Sequence, residues 1–260
     1  MIKLRKLLKR YWKTSMPNAV KIICLKWGTK YPAEYVNRLY RMVNKHLTIP
    51  FEFYCITENT DDLYPEINVL DLILEDGLKG WWYKLQLFKK DFYGLTGQAM
   101  FLDLDVVITN SIDPLFEVNP DDFVIIKDLQ QGKVYNSSVF KLKLGTQTHV
   151  WNSFQQDKES IISRMHGDQD WISETVTNAK LWPKNWVVSY KKECNSRNKN
   201  SWGAIGRILR SKGYCLPKGV AKVPNGAKLV YFHGKPDPDD VVDRSFDMWK
   251  QAPWIRDEWS

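Results

Sequence analysis

Two aspartates, Asp103 and Asp105, interrupt the otherwise apolar run of residues 101–108. Residues two apart in a strand point to the same face, so a strand through this run places both carboxylates on one face. Burying two like charges together is strongly unfavourable unless a positive group meets them. A hard divalent cation, Mn²⁺ or Mg²⁺, takes oxygen ligands and keeps coordination positions for phosphates and water. The pattern therefore predicts a metal site; the alternative is an Asp-x-Asp segment that ends a strand and caps a turn.

The elements that must position this pair alternate between apolar strands and amphipathic helices. In the first half we expect strands over residues 19–25, 51–57, 67–72 and 99–102, and helices over residues 32–46 and 82–90. This alternation predicts a parallel sheet with helices on its faces, of the kind that binds nucleotides. In such sheets the ligand lies outside the carboxyl ends of the strands, which is where the aspartates follow an apolar strand.

The second half of the chain is less regular. We expect neighbouring strands over residues 123–127 and 134–142, a late strand over 228–232, helices over 146–157, 168–177 and 205–211, and a long polar, mobile loop over 191–203. The chain is expected to form one catalytic domain over residues 17–240, followed by a tail over 241–260.

The composition excludes several classes of protein. With 260 residues, 43% of them hydrophobic, the chain can bury a core, which excludes disordered, collagen-like and mini-protein classes. The longest apolar runs are far shorter than the roughly 20 residues of a spanning helix. Four widely separated cysteines without a Cys-x-x-Cys pair argue against a disulfide framework and a structural zinc site. Cys24 and Cys55, in apolar strands, are expected in the core.

Residues 1–16 combine leucines at helical spacing with lysines and arginines, and the whole chain carries a formal net charge of +8. A basic amphipathic helix of this kind suits peripheral contact with an anionic membrane surface; the alternative is a terminal helix packed on its own domain. The segment has no uninterrupted apolar stretch of the kind found in secretion signals. We therefore expect a cytoplasmic protein, with the inner face of a membrane as its possible site of contact.

Five short segments occur in a distinctive order along the chain: WYKL at residues 82–85, FLDLD at 101–105, NSS at 136–138, DQD at 168–170 and HGKP at 233–236. This order resembles glycosyltransferase family 8, whose members transfer galactose or glucose from nucleotide sugars with Mn²⁺. The resemblance extends over residues 20–236. It implies an α/β fold of the GT-A type, in which a Rossmann-like mixed sheet is flanked by helices in a single domain.

The resemblance also implies roles in metal binding and catalysis. Asp103 and Asp105, with His233 as a third ligand, would hold Mn²⁺ or Mg²⁺, which bridges and neutralises the leaving diphosphate. Asp168 would bind the transferred sugar, and Gln169 would lie beside its anomeric carbon; these two are the catalytic candidates.

Five further residues are implied in substrate binding. Lys84 would face the donor sugar, Asn136 and Ser137 would hydrogen-bond sugar hydroxyls, and Lys235 would offer its ammonium to a phosphate. Trp27 follows the first strand, where this fold places the nucleobase, and could stack on it. Two motifs depart from the family: NSS has serine where a glycine is usual, and HGKP is compressed, which weakens the case for Lys235.

Each matched residue also has a purely structural explanation. Asp168 fits the cap of a helix, where an acid is favoured by the helix dipole. His233 fits an ordinary turn histidine, and Lys84 fits a solvated charge on a helix. Trp27 fits a loop aromatic that closes the edge of the core. These alternatives remain open at the level of sequence.

The leading hypothesis is a metal-dependent glycosyltransferase that moves a sugar from a nucleotide diphosphate sugar, with a UDP-sugar favoured, to a hydroxyl of a glycan or glycolipid. A metal-dependent nucleotidyltransferase or nucleotide-sugar hydrolase would need the same aspartates. A basic single-stranded nucleic-acid-binding module is a third possibility. We expect no nucleic-acid partner, because the basic residues are spread along the chain without a nucleic-acid fold signature.

Overall fold

The computed structural model describes residues 19–75, 77–128, 135–195 and 219–260, and its main sheet is built around strand β1 (Val20–Leu25). All six residues of β1 are buried, as is typical of parallel strands covered on both faces. β1 pairs in parallel with β2 (Phe51–Thr57) and with β4 (Gln98–Leu102), while β3 (Asn68–Asp71) pairs in parallel with β2. Helix α1 (Ala33–His46) connects β1 to β2. The alternation of strand and helix predicted for the first half is confirmed.

The sheet becomes mixed on the other side of β4. Strand β7 (Tyr135–Lys143) is antiparallel to β4 and also to β6 (Val124–Lys127), and β8 (Lys180–Leu181) pairs in parallel with β6. Among the described residues the main sheet has seven strands in the order β3-β2-β1-β4-β7-β6-β8. The predicted pairing of residues 123–127 with residues 134–142 is confirmed.

A smaller sheet lies beside the first. Among the residues described it contains three strands, β5 (Val107–Ile108), β9 (Val187–Ser189) and β10 (Leu229–Tyr231), with β10 in the middle. In the ranges that the structure describes, the remaining helices are α2 (Asp113–Glu117), α3 (Thr148–Gln156), α4 (Lys158–Arg164), α5 (Asp168–Thr175), α6 (Pro238–Val241), α7 (Trp254–Trp259), a 3₁₀ helix at Gly80–Phe88 and a π-helical turn at Tyr190–Cys194.

Alternate residues of β1 contribute to two apolar clusters. Ile22 and Cys24 pack in one cluster with the apolar side of α1, and Ile23 and Leu25 pack in the other cluster with the 3₁₀ helix. Cys55 lies beside Cys24 in register, and both thiols are fully buried. The prediction that these cysteines belong to the core is confirmed.

The amphipathic helix predicted over residues 82–90 is instead the 3₁₀ helix, and it has no exposed polar face. Every residue from Trp82 to Phe88 is buried, including Lys84 and Gln86. Helices α3 and α5 contact this segment, so its polar side chains are enclosed as well as its apolar ones. Lys84 is therefore not a solvated helix charge.

The segment predicted as a tail, residues 241–260, packs on the domain. Ile255 in α7 is fully buried, and Trp259 is largely buried against Tyr35 of α1. The Arg41 guanidinium donates from Nη2 to the carbonyl oxygen of Trp259 at 2.9 Å. These contacts make α7 part of the layer that covers α1.

Several predictions fall on residues outside the described part of the chain. They are the basic helix over residues 1–16, the helix over 205–211 and residues 196–203 of the polar loop; the first residues of that loop belong to the π-helical turn. Among the residues that are described, no helix combines the length and hydrophobicity needed to cross a bilayer.

Lys141 is a fully buried lysine on β7, and it provides a test of the fold. Its Nζ donates to the carbonyl oxygens of Val118 at 2.5 Å and Phe116 at 3.4 Å. Burial lowers the pKa of Lys141 from 10.5 to about 8, because it penalises the charged form. Between these two pH values the unfolded chain binds more protons than the folded chain, so stability rises with pH through this window.

We therefore expect the wild-type free energy of unfolding, relative to that of Lys141→Met, to increase from pH 8 to pH 10. Urea unfolding at several pH values measures this difference. The matched control is Lys143→Met, because Lys143 is an exposed residue of the same strand. The difference in free energy of unfolding between this variant and wild type should not change with pH. A pH-independent difference for Lys141→Met would contradict the prediction.

Candidate active site

A cavity of about 500 Å³ opens at the carboxyl ends of β1 and β4. Leu25, the last residue of β1, lines it, and Asp103 enters it directly after the last residue of β4. The other walls come from the 3₁₀ helix, the start of β7, the N-terminus of α5 and the segment after β10. The topology thus brings polar side chains that are distant in sequence to one place.

Asp103 and Asp105 lie in a turn, which corrects the prediction that they share one face of a strand. β4 ends at Leu102, and the amide of Val106 donates to the carbonyl oxygen of Asp103 at 3.4 Å. The chain therefore changes direction between the two aspartates. Their carboxylates meet different partners, although both line the cavity.

Lys84 connects Asp103 to Asp168 at the floor of the cavity. Its Nζ lies 2.8 Å from Oδ1 of Asp103 and 3.9 Å from Oδ2 of Asp168, and the Ser137 hydroxyl donates to the same Asp168 oxygen at 2.7 Å. Burial disfavours the ammonium, but the two carboxylates outweigh it and raise the pKa of Lys84. Burial also raises the pKa of Asp168, against the opposing effects of Lys84 and Ser137. The floor is a compact, hydrogen-bonded charge network.

Asp105 is buried beside other acids. The hydroxyl of Tyr31 lies 3.0 Å from Oδ2 of Asp105 and 3.1 Å from Oδ1 of Asp237, and it accepts a hydrogen bond from Lys30 at 2.7 Å. A hydroxyl has one proton, so it can donate to only one of the two carboxylates at a time. Burial, followed by the charges of Asp103 and Asp237, raises the pKa of Asp105 to about 7.

The carboxylate oxygens of Asp103 and Asp105 are of the ligand type that a hard divalent cation prefers. Within the described part of the chain, no lysine or arginine forms a direct ion pair with Asp105, and the charge of Lys30 does not outweigh burial and the neighbouring acids. A bound cation would supply the positive charge that is missing. In the same residues, no three His, Cys, Asp or Glu side chains converge closely enough to hold a metal. Mn²⁺ or Mg²⁺ is often held by one or two carboxylates, with water and substrate phosphates as the other ligands.

His233 lines the cavity but is not grouped with the two aspartates. Its Nε2 lies 2.9 Å from the Ser189 hydroxyl, and its carbonyl oxygen accepts a hydrogen bond from Lys191 at 2.6 Å. Burial and the Lys191 charge lower the pKa of His233 to about 4, so the imidazole is neutral at pH 7. A neutral imidazole is the form that binds metals, and the role of His233 as a third ligand stays a prediction.

Three more of the predicted residues line the cavity. Asn136 is buried, and its Oδ1 accepts from the amide of Ser138 at 3.0 Å. Gln169, in the first turn of α5, donates to Asp128 at 3.4 Å. Trp27 lies at the opening with 36% of its surface exposed. The cavity therefore contains groups that could bind sugar hydroxyls and a flat aromatic face.

Lys235 is the predicted residue that the structure does not bring to the cavity. Its side chain is 60% exposed, and its Nζ forms ion pairs with Asp240 at 2.8 Å and Asp237 at 3.0 Å. The ammonium that was predicted to contact a donor phosphate is therefore paired with these two acids. All the other predicted site residues line the cavity.

Among the residues of the site, Tyr31, Asp237 and His166 were not predicted from the sequence. Tyr31 follows Trp27 in the same loop, which was the one available signal for it. The link from Tyr31 to Asp237 joins segments far apart in the sequence, so no local pattern could reveal it.

No model of a protein family matches this sequence. No curated protein matches it either. Solved structures of three glycosyltransferases are among those that share its fold. The galactosyltransferase LgtC, in complex with donor and acceptor sugar analogues, has a TM-score of 0.56 and 14% identity over 84% of this chain and 88% of its own.

The other two are the bifunctional glycosyltransferase WbbM, with a TM-score of 0.63 and 11% identity, and the glycosyltransferase GlyE of Streptococcus pneumoniae TIGR4, with a TM-score of 0.55 and 11% identity. Their alignments cover 95% and 93% of this chain, but only 50% of WbbM and 60% of GlyE. The predicted α/β fold of the GT-A type is confirmed by these likenesses.

Proposed function

We propose that this protein is a metal-dependent glycosyltransferase that moves a sugar from a nucleotide diphosphate sugar to an acceptor hydroxyl. The observation that carries the proposal is the buried Asp105 carboxylate, which forms no direct ion pair with a described residue and whose pKa is raised despite the charge of Lys30. It lies in the same cavity as the network of Asp103, Lys84 and Asp168. The fold supports it, because LgtC is a galactosyltransferase that was solved with donor and acceptor sugar analogues.

Each part of the cavity has a role in this proposal. Asp103 and Asp105 hold Mn²⁺ or Mg²⁺, which when bound supplies positive charge to the leaving diphosphate. Lys84 keeps the carboxylates of Asp103 and Asp168 in fixed positions. Asn136 and Ser137 orient sugar hydroxyls, consistent with their burial in the cavity wall.

Asp168 is better suited to positioning than to attack. Its Oδ2 accepts a hydrogen bond from Ser137 and faces the ammonium of Lys84, so much of its charge is already engaged. We assign it to the hydroxyls of the transferred sugar, with Gln169 beside the anomeric carbon. UDP-sugars are the favoured donors, and the hydroxyl of a glycan or glycolipid is the favoured acceptor.

The proposal predicts binding of a nucleoside diphosphate that requires Mn²⁺. With UDP, GDP, ADP or CDP at about 100 times its Kd, binding stabilises the folded state by about 2.7 kcal/mol. For a domain of this size, this corresponds to a rise in Tm of roughly 5–10 °C. Thermal unfolding of the full chain with each nucleotide, with Mn²⁺ or with EDTA, measures the effect.

We expect a rise with one nucleotide, UDP first, and none in EDTA. The absence of any Mn²⁺-dependent rise across the four nucleotides would reject the proposal. Product analysis with the matching nucleotide sugar then separates the related activities. Transfer needs an acceptor, whereas release of free sugar without one would indicate a hydrolase, and release of pyrophosphate would indicate a nucleotidyltransferase.

A further inference from the structure

Trp81 is an exposed tryptophan at the opening of the candidate active site. Its surface is 44% exposed, whereas that of Trp82, the next residue, is 5% exposed. Trp81 precedes Lys84 by three residues in the 3₁₀ helix, and side chains at this spacing lie on the same side of such a helix. Both residues line the cavity, with Lys84 at the buried floor and Trp81 at the exposed rim.

The indole of Trp81 is held in one orientation by the segment before α5. Its Nε1 donates to the carbonyl oxygen of His166 at 3.2 Å, and its ring centroid lies 5.7 Å from that of the His166 ring at an interplanar angle of 34°. The only polar atom of the indole is therefore engaged within the protein. What the ring offers to a ligand is its flat apolar face.

Gly167 makes this orientation possible. A Cβ at position 167 would lie 2.3 Å from Nε1 of Trp81 and 2.7 Å from its Cδ1, which no side chain could tolerate without moving the ring. The backbone of Gly167 is extended, with φ −175°, so any residue could adopt its conformation. Glycine is needed here for space, and the space is occupied by Trp81.

A fixed apolar face beside polar groups is suited to a sugar ring. The C–H groups of a pyranose form an apolar surface that can stack on an indole, while its hydroxyls need hydrogen bonds from polar walls. The cavity that Trp81 lines is also lined by the polar side chains of His166, Asp168 and Asp170, of which His166 contacts the indole. The combination favours a carbohydrate over a purely apolar ligand such as an acyl chain.

The position at the rim points to the acceptor. The groups assigned to the hydroxyls of the donor sugar, Asn136, Ser137 and Asp168, are at most 8% exposed and lie deep in the cavity. A second substrate must approach the reacting carbon from the open side of the cavity, where Trp81 lies. We propose that Trp81 stacks on the pyranose ring of the acceptor, and that Gly167 is a positioning residue that acts through Trp81; this inference rests on the proposed function.

Trp81→Ala tests the stacking role. The full chain is saturated with Mn²⁺ and with the nucleoside diphosphate that gives the largest thermal shift, and methyl β-D-galactopyranoside and methyl β-D-glucopyranoside are titrated by saturation-transfer NMR. We expect Trp81→Ala to weaken binding of the preferred glycoside about tenfold, and Trp81→Phe to retain most of it. The affinity for the nucleoside diphosphate should stay within about twofold of wild type.

Leu181→Ala is the matched control, because Leu181 is an exposed apolar residue that does not line the cavity. Leu181→Ala should change neither the glycoside affinity nor the nucleoside diphosphate affinity. An unchanged glycoside affinity in Trp81→Ala, or wild-type protein that binds the nucleotide but neither glycoside, would overturn the inference and leave the proposed function standing. An equal loss of nucleotide affinity in Trp81→Ala would show that the ring stacks on the donor instead. Failure of the wild type to bind any nucleotide would reject the proposed function itself.

A double-mutant cycle tests Gly167. We expect Gly167→Ala to weaken glycoside binding by a factor similar to that of Trp81→Ala, because the added methyl group displaces the indole. In the Trp81→Ala background the same substitution should cost nothing further, since nothing remains to be displaced. A full additional loss in that background would show that Gly167 serves the backbone next to Asp168 and does not act through Trp81.

Discussion

Asp105→Asn is expected to reduce the Mn²⁺-dependent affinity for the nucleoside diphosphate by at least about 100-fold. Replacing a residue that only supports a metal ligand costs up to about 100-fold in metal affinity, and loss of a direct ligand should cost at least as much. The amide has nearly the same volume as the carboxylate but is a much weaker ligand for a hard cation. Isothermal titration of the full chain with the nucleotide and Mn²⁺ measures the loss.

The same substitution should leave the fold intact. Asp105 is buried, and the repulsion from Asp103 and Asp237 together with burial outweighs the attraction of Lys30. An uncharged side chain therefore removes net repulsion and does not break a direct ion pair with a described residue. The free energy of unfolding in EDTA should equal or exceed that of wild type. The control is Asp121→Asn, because Asp121 is an exposed acid outside the cavity. It should change neither the Mn²⁺-dependent nucleotide affinity nor the free energy of unfolding. Nucleotide affinity that still depends on Mn²⁺ at the wild-type level would exclude Asp105 as a metal ligand.

Lys84→Met should cost about 3–5 kcal/mol of folding stability, the usual cost of leaving a buried charge without its partner. Methionine matches the length and volume of the lysine stem, so the loss reports mainly on charge. Without the ammonium, Asp103 and Asp168 lose the positive group that lies 2.8 Å and 3.9 Å from their oxygens. Urea unfolding in EDTA measures this cost without a contribution from bound metal.

A second substitution separates charge from packing. In Lys84→Met combined with Asp168→Asn, one uncompensated carboxylate is removed, so stability should recover in part. Lys89→Met is the matched control at the end of the same helix, because the pair of Lys89 with Glu75 is partly exposed and should contribute less than about 1 kcal/mol. If Lys84→Met is as stable as wild type, or the double variant is less stable than the single one, Lys84 does not act as the compensating charge of the floor.

The strands and the principal helix of the first half follow from local sequence. The run of apolar residues in β1 can be satisfied only by burial on both faces, and the spacing of apolar residues in α1 matches the helical repeat. The two aspartates stand out for the same reason, because carboxylates are unexpected directly after a buried strand. The fold class and the importance of the two aspartates could therefore be predicted from the sequence.

The arrangement of the site depended on tertiary structure. The sequence left open whether Lys84 faces the site or is a solvated helix charge, because its partners Asp103 and Asp168 come from distant segments that only the folded sheet brings to it. Likewise, no local signal distinguishes the exposed Trp81 from the buried Trp82. Phe154 of α3 stacks on the Trp82 ring, whereas the Trp81 ring lines the open cavity.

The turn at Asp103 and the ion pairs of Lys235 were also decided by the tertiary structure. A strand pattern continues through residues 101–108, yet β4 ends at Leu102, and the chain turns before it resumes in a different sheet as β5. Lys235 has the residue type and motif position of a phosphate ligand, but in the folded chain its ammonium forms ion pairs with Asp237 and Asp240. Sequence determines which residues prefer burial or charge. Which charges meet is decided by the fold, because electrostatic partners are selected by distance in space and not by separation along the chain.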